Sequence, residues 1–216
     1  MSFILSAVVL CMLLHVFVIA LVGLALGVTV RELTLGLGPT AFTVGRLRVK
    51  SFPFGGAVRF KDSREEALDG ADMRDALDGR PVAVQVFIGL SGCLALILVA
   101  VATLQIGAIR ALVDGFPQIV LGALSPLGTA QALLAEAVER VAGQSFAVVL
   151  GLVAAKLAAF NLLPLPGANG GFVIATLARW AGVARLWPQA LTTALLMVYL
   201  AIALSWVCAL VVHLVR

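Results

Sequence analysis

Three stretches of this chain, residues 2–30, 81–109 and 186–215, contain no Asp, Glu, Lys or Arg. Each is longer than the roughly 20 residues that an α-helix needs to cross a bilayer. The chain of 216 residues is 62% hydrophobic and 12% charged, whereas soluble domains average about 25% charged residues. These values argue against a soluble domain and exclude a disordered tail or a disulfide scaffold. They predict an all-α polytopic membrane protein.

A further apolar segment covers residues 141–180, but it is interrupted. The run NLLPLPGANGG (161–171) contains prolines and glycines that a regular transmembrane helix does not accommodate. We therefore predict four transmembrane segments, of which the third is broken at this run. Their approximate bounds are 2–30, 81–109, 141–180 and 186–215, and they form a single membrane domain over residues 1–216.

The connection between the first and second spans, residues 31–80, is different in character. Its first half alternates apolar and polar residues with Gly and Pro between them, which is typical of strands and hairpins. We predict a small membrane-associated β-hairpin at residues 40–60 that turns at the PFGG run, followed by a solvated, charged linker. The acids of the linker stand at every third position from Asp69 to Asp78, which is not the alternate spacing of a calcium-binding loop.

The second connection, residues 110–140, is semi-polar and contains several Pro and Gly residues. Apolar residues recur at helical spacing from Ala130 to Val141. We therefore predict an amphipathic helix at residues 126–140 that lies on the membrane interface.

Lys and Arg are distributed unevenly among the connections. Residues 31–80 contain nine of them, and the connection before the last span contains Arg179 and Arg185. With both termini outside, eleven cations lie inside and three outside, and the reverse orientation inverts these counts. The positive-inside rule predicts that both termini are outside and that residues 31–80 are cytoplasmic. We expect an integral protein of the bacterial inner (plasma) membrane whose cations face the lipid bilayer, and no nucleic-acid partner.

Few polar side chains lie within the predicted spans, and each is a functional candidate because polar groups are costly in lipid. They are His15, Gln105, Lys156, Asn161 and Asn169. The stem of Lys156 is long enough to carry its ammonium to the interface, so we expect this side chain to snorkel. All three cysteines lie in apolar stretches, and we expect no disulfide.

His15 and the interrupted third segment together resemble motifs of the site-2 proteases, which are intramembrane zinc metalloproteases. In that family the first span carries HExxH, the third carries N-x-x-P-x-P-x-x-D-G, and the two motifs meet at a zinc ion. The positions of this chain that match the second motif are Asn161, Pro164, Pro166 and Gly170. Asn169 stands where the motif has Asp.

Other segments are similar to the family in the same order along nearly the whole chain. The segment SFPFGGAVRF (51–60) resembles its membrane-associated β-loop, and residues 79–100 resemble its second span. The segment SPLGTAQALL (125–134) is similar to the one before its third span. No room remains for the PDZ domain that some members insert. Members with this layout also place the N-terminus outside, in agreement with the charge count.

The catalytic motif is degenerate. HExxH works because a helix presents positions i and i+4 on one face, where two imidazoles bind zinc and the Glu activates a water. The chain has His15, but Val16 replaces the Glu, Ile19 replaces the second His, and Asn169 replaces the Asp of the other motif. A catalytic zinc needs three protein ligands, so we expect no zinc, no other cofactor and no catalytic residue.

The sequence therefore favours a pseudoprotease, an inactive relative that binds or regulates a membrane-protein or transmembrane-peptide partner. The client groove is expected between the β-loop and the broken third span, where an extended strand would pair. Its residues are Pro53, Gly55, Gly56, Asn161, Pro164, Pro166, Asn169 and Gly170. Two alternatives stay open: an active metalloprotease whose zinc site is atypical or completed by a partner chain, and a transporter or channel component, since broken helices also form ion sites.

Overall fold

The computed structural model describes residues 2–70, 72–186 and 188–215. Most of these residues are helical, and two antiparallel strands form a hairpin after the first helix. The helices are α1 (Ser2–Ala25), α2 (Val82–Leu104), α3 (Gly107–Val113), α4 (Gly115–Leu124), α5 (Thr129–Val141), α6 (Phe146–Asn161), α7 (Asn169–Trp180) and α8 (Gln189–Val215). The strands are β1 (Val30–Val44) and β2 (Leu47–Phe60), and short 3-10 turns cover Asp72–Asp75 and Val183–Leu186.

Four helical stretches in the described part of the chain are long and apolar enough to cross a membrane. They are Phe3–Ala25, Val82–Leu104, Gly107–Leu124 and Gln189–Val215. These helices and the small hairpin confirm the predicted fold class. The broken third segment is also present: α6 is a shorter apolar helix of 16 residues, and residues 162–168 separate it from α7.

The region after α2 differs from the prediction. Helix α2 ends at Leu104 because Gln105 adopts a φ of 52°, which a right-handed helix does not contain. Residues 110–124 were expected in a semi-polar connection and residues 107–109 in the second span. The stretch 107–124 is instead helical and apolar, with a break at Asp114 between α3 and α4. The amphipathic helix predicted at 126–140 is α5, which begins at Thr129.

Small residues allow α1, α2 and α6 to pack closely. Gly92 of α2 lies against α1, where an added Cβ would stand 2.7 Å from the carbonyl oxygen of His15. Ala154, Ala155 and Ala158 of α6 are fully buried at the same core. Helices in lipid associate mainly through such close packing, since the lipid tails are as apolar as the side chains. These three helices form the framework that positions the site.

The hairpin is longer than predicted and turns at a different place. Strand β1 begins at Val30, and the chain reverses at Gly45 and Arg46, where Gly45 has a φ of 58°. The predicted turn at PFGG is wrong: that run lies within β2, where Gly55 has a φ of 76°. Leu33 pairs with both Leu47 and Val58, so residues 33–35, near the start of β1, lie between two parts of β2. A glycine in a strand often marks a bulge of this kind, and the sequence alone does not separate it from a turn.

The charged linker is anchored beside the hairpin at both of its ends, while most of its described residues are exposed or half-buried. Lys61 is 4% exposed, and its ammonium donates to Asp75 at 2.7 Å. The Thr29 hydroxyl donates to the same carboxylate, and the Leu77 N–H donates to the Lys61 carbonyl at 2.7 Å. The Lys61 hydrogen bond is the largest cause that lowers the pKa of Asp75 from 3.8 to about 2, and the Thr29 hydrogen bond adds to it.

Lys156 does not snorkel. Its ammonium donates to the Ala111 carbonyl oxygen at 2.8 Å and to Gln118 Oε1 at 2.7 Å. Ala111 lies in the last turn of α3, whose carbonyl oxygens have no partner within the helix. Lys156 therefore finds one acceptor beside the break at Asp114 and a second on α4, and its side chain joins α6 to both α3 and α4.

Candidate functional site

Helices α1 and α7 meet at a polar contact inside the helix bundle. His15 lies in the middle of α1, and Asn169 is the first residue of α7. His15 Nε2 and Asn169 Oδ1 are 3.2 Å apart. The Asn169 amide nitrogen donates to the Gly89 carbonyl oxygen on α2 at 2.6 Å. The pair therefore joins three helices that are far apart along the chain.

These hydrogen bonds also assign the proton on His15. Because Asn169 uses its amide nitrogen to donate to Gly89, its Oδ1 is the acceptor, and His15 Nε2 carries the proton. His15 Nδ1 is buried against Gly92 and has no hydrogen-bond partner among the described residues. A neutral imidazole suits this position, because protonation of Nδ1 would leave a buried N–H unpaired.

The positions that correspond to the family's base and second ligand are buried in an apolar cluster. Val16 and Ile19 are 2% and 9% exposed. They pack with Phe60 of the hairpin and Ile88 of α2. An added Cβ at Gly56 would stand 2.8 Å from Val16 Cγ2, so β2 rests directly on this turn of α1. Hydrocarbon therefore fills the space where the family motif places a carboxylate and an imidazole.

A zinc ion does not fit this donor set. The neutral Nε2–H of His15 is directed at Asn169, and an amide oxygen is not among the usual zinc ligands, which are Cys, His and carboxylate groups. The side chains of Val16 and Ile19 have no atom that can bind zinc. Within residues 2–70, 72–186 and 188–215, no three His, Cys, Asp or Glu side chains are grouped so that they could hold a metal ion. The arrangement is a hydrogen-bonded junction between helices.

Comparison with known families agrees with these positions. The family model described as peptidase family M50 matches residues 3–206. The chain belongs to peptidase family M50. This is the site-2 protease family that the two motifs indicated, and with its apolar helices the M50 chain is an integral membrane protein. No curated protein gives a significant match to the chain.

The second M50 motif forms the break between α6 and α7. Asn161 ends α6, and its amide donates at 2.9 Å to a carbonyl oxygen of its own helix. In the turn that follows, Pro164 is exposed and Pro166 is half-buried. An added Cβ at Gly167 would stand 2.8 Å from the ring of Tyr199, so the turn packs against α8.

Gly170 allows α7 to start where it does. An added Cβ at this residue would stand 2.6 Å from the Leu163 carbonyl oxygen, which is backbone and has little freedom to move. The backbone of the first turn of α7 therefore crosses, and directly contacts, the backbone at the start of the break. This crossing brings Asn169, the residue before Gly170, to His15.

The hairpin residues predicted for the groove all belong to β2. Gly56 contacts Val16 of α1, whereas Gly55 faces Leu37 of β1. The side chain of Pro53 lies outside the described residues. The structure thus brings the hairpin and the start of α7 to two adjacent residues of α1, His15 and Val16.

Two residues that the sequence reasoning did not select complete the site. Gly89 accepts the Asn169 amide, and Gly92 makes room for the His15 ring. They lie three positions apart in the GLSG run of α2 and thus share a helix face. Paired small residues are typical of helix contacts in membranes, and that spacing is the signal by which they could have been found.

Proposed function

We propose that this M50 protein is a pseudoprotease that binds a membrane-protein or transmembrane-peptide partner without cleaving it. The proposal rests on the hydrogen bond between His15, which matches the first motif, and Asn169, which stands at the acid position of the second. Val16 and Ile19 are buried beside this pair. Peptide hydrolysis needs an activated water. At this turn of α1 neither a base nor a zinc-binding donor set is available to activate it.

The hairpin supplies a surface for such a partner. Leu37, Phe42 and Phe52 are each more than 50% exposed, with exposed fractions of 52%, 54% and 59%. An extended segment binds a sheet by adding a strand at its edge, and exposed apolar side chains on the hairpin suit a client from the membrane. Gly56 of β2 packs on Val16, so a client strand along β2 lies beside the α1 turn and the start of α7.

The second wall of the proposed groove is the break between α6 and α7. The backbone of residues 162–168 is not helical, and such backbone in a membrane faces protein, water or a guest. The exposed Pro164 leaves one side of this turn uncovered. The proposed groove residues are Pro53, Gly55, Gly56, Asn161, Pro164, Pro166, Asn169 and Gly170.

Client capture is expected to fall about fivefold in Asn161→Ala, which is the effect of one lost hydrogen bond, and to fall in Pro166→Leu as well. Asn161→Ala removes an amide oxygen that a client strand can contact, and Pro166→Leu changes the shape of the turn. The measurement is photo-crosslinking from position 52 in native membranes, with the adduct quantified on gels and identified by mass spectrometry. Membrane insertion should be unchanged, because it depends on the apolar spans.

His15→Ala is the matched comparison for the groove variants. It is expected to reduce capture less than Asn161→Ala does, because His15 only supports the junction behind the groove. If His15→Ala abolished the adduct while Asn161→Ala and Pro166→Leu retained it, binding would belong to the remnant of the metal site. The groove assignment would then be wrong.

We further propose that the protein lies in a bacterial inner membrane with both termini outside and residues 31–80 in the cytoplasm. The support is the excess of Lys and Arg in this segment. With Cys208 replaced by Ser, Arg74→Cys should react with impermeant thiol reagents only from the cytoplasmic side. Gln144→Cys, equally exposed in the α5–α6 connection, should react only from outside. The opposite pattern would reverse the topology.

A further inference from the structure

A cavity of about 360 Å³ lies where the charged linker meets the start of α2 and the end of α7. Three arginines from these separate segments line it: Arg64, Arg80 and Arg179. Thr176 and Trp180 of α7 complete the wall beside Arg179. We propose that this cavity binds a phosphate group, that of an anionic phospholipid headgroup. The proposal concerns a site at the end of the bundle and does not depend on client capture.

The carboxylates near the cavity already have partners. Asp62 is engaged by the Nε of Arg64 at 2.6 Å and by a second nitrogen of the same guanidinium. Asp78, which also lines the cavity, accepts from the Ser63 backbone N–H at 3.1 Å and from the Ser63 hydroxyl. Asp62 offsets the charge of Arg64 and Asp78 lines the cavity itself, so three positive charges stand against two negative ones and an excess of one positive charge remains.

Two of the arginines, Arg80 and Arg179, have N–H groups that are not hydrogen-bonded to a carboxylate. Arg80 donates one terminal nitrogen to the Gly27 carbonyl oxygen, while its Nε is buried with no hydrogen-bond partner among the described residues. The Arg179 guanidinium donates to the Thr176 hydroxyl at 3.0 Å. A buried, unpaired Nε–H is costly, and a shift of the Arg80 side chain toward an oxyanion in the cavity would give this N–H a partner. Guanidinium forks match the oxygens of phosphate in geometry as well as in charge.

The surroundings favour a lipid as the source of this phosphate. The cavity lies at the first turn of α2, where Val82 begins an apolar helix long enough to cross the bilayer, so it stands at headgroup depth. Trp180 is 73% exposed beside it, and tryptophan is typical of the membrane–water interface. In the topology proposed above, residues 64, 80 and 179 lie on the cytoplasmic side, and basic pockets on that side bind anionic headgroups.

The test uses the full-length protein in detergent and native mass spectrometry to measure lipid affinity. Phosphatidylglycerol is compared with diacylglycerol of the same acyl chains, which lacks the phosphoglycerol headgroup. Phosphatidylglycerol is expected to bind at least about tenfold more tightly, and Arg179→Gln to remove at least about tenfold of its affinity. Arg80→Gln should act in the same direction. Arg74→Gln is the control, because Arg74 is exposed in the same linker and does not line the cavity.

Three outcomes would overturn the proposal. Equal binding of the two lipids would show that the headgroup is not recognised. An equal loss in Arg74→Gln and Arg179→Gln would show attraction by overall charge rather than a site. Full displacement of phosphatidylglycerol by an equal concentration of inorganic phosphate would identify free phosphate as the ligand and exclude the lipid assignment.

Discussion

The natural protein, purified without chelator, is expected to carry no stoichiometric zinc, whereas Val16→Glu/Ile19→His/Asn169→Asp is expected to bind about one zinc per chain. Ile19→His and Asn169→Asp each add one zinc ligand to the native His15. The total is three protein ligands, the number that a catalytic zinc needs. The triple change also supplies the base. Gly56 lies against Val16, so the longer Glu side chain will displace β2 slightly. Metal content is measured by elemental analysis against protein concentration.

The matched control keeps Ile19 and carries only Val16→Glu/Asn169→Asp. It has the same added carboxylates but one ligand fewer, and it should bind no stoichiometric zinc, since the ligands act as a set. Zinc in the natural protein that disappeared with His15→Ala would show that the ligands of this turn had been undercounted. Zinc that survived His15→Ala would place the metal elsewhere in the chain.

Gly92→Ala is expected to lower the free energy of unfolding by about 1–3 kcal/mol, the usual effect of overpacking a well-packed contact. The added methyl would stand 2.6 Å from His15 Nδ1 and 2.7 Å from the His15 carbonyl oxygen. The second of these atoms is backbone, so α1 and α2 must move apart to accept it. Thermal unfolding in detergent, followed by circular dichroism, measures the change.

Gly107→Ala is the control, because an added Cβ there meets nothing closer than Leu104 Cβ at 3.9 Å. The same substitution in an open position should be neutral or slightly stabilising, since Ala favours helix more than Gly does. An equal loss of stability in both variants would mean that glycine flexibility, not the close helix crossing, is what Gly92 provides.

Much of the fold follows from hydropathy, and the exceptions have a physical cause. Apolar length indicated α1, α2 and α8, although α1 ends at Ala25 and α2 at Leu104, before the ends of the predicted spans. The prolines marked the break before α7. The turn at Gly45 and Arg46 was missed because PFGG carries the stronger turn signal. Positive φ at Gly55 bends a strand there instead of ending it, and only the pairing partners of the strand distinguish these cases.

The junction was predictable in part. The resemblance to the protease motifs predicted that His15 and Asn169 lie close together, and the two side chains are in hydrogen-bond contact. The Gly56–Val16 contact and the Lys156–Gln118 hydrogen bond were not foreseen. Both join residues far apart along the chain, and a single sequence does not record which distant side chains face each other.

Asn169 has a consequence for how the protein assembles in the cell. A zinc ion between α1 and α7 would tie the docking of these helices to metal supply, because metal binding contributes to folding free energy. Here the amide of Asn169 holds α7 to His15 and Gly89 with atoms of the chain alone. We therefore expect the folded state to form without zinc, and we expect chelators or metal starvation to leave the abundance of the protein in the membrane unchanged.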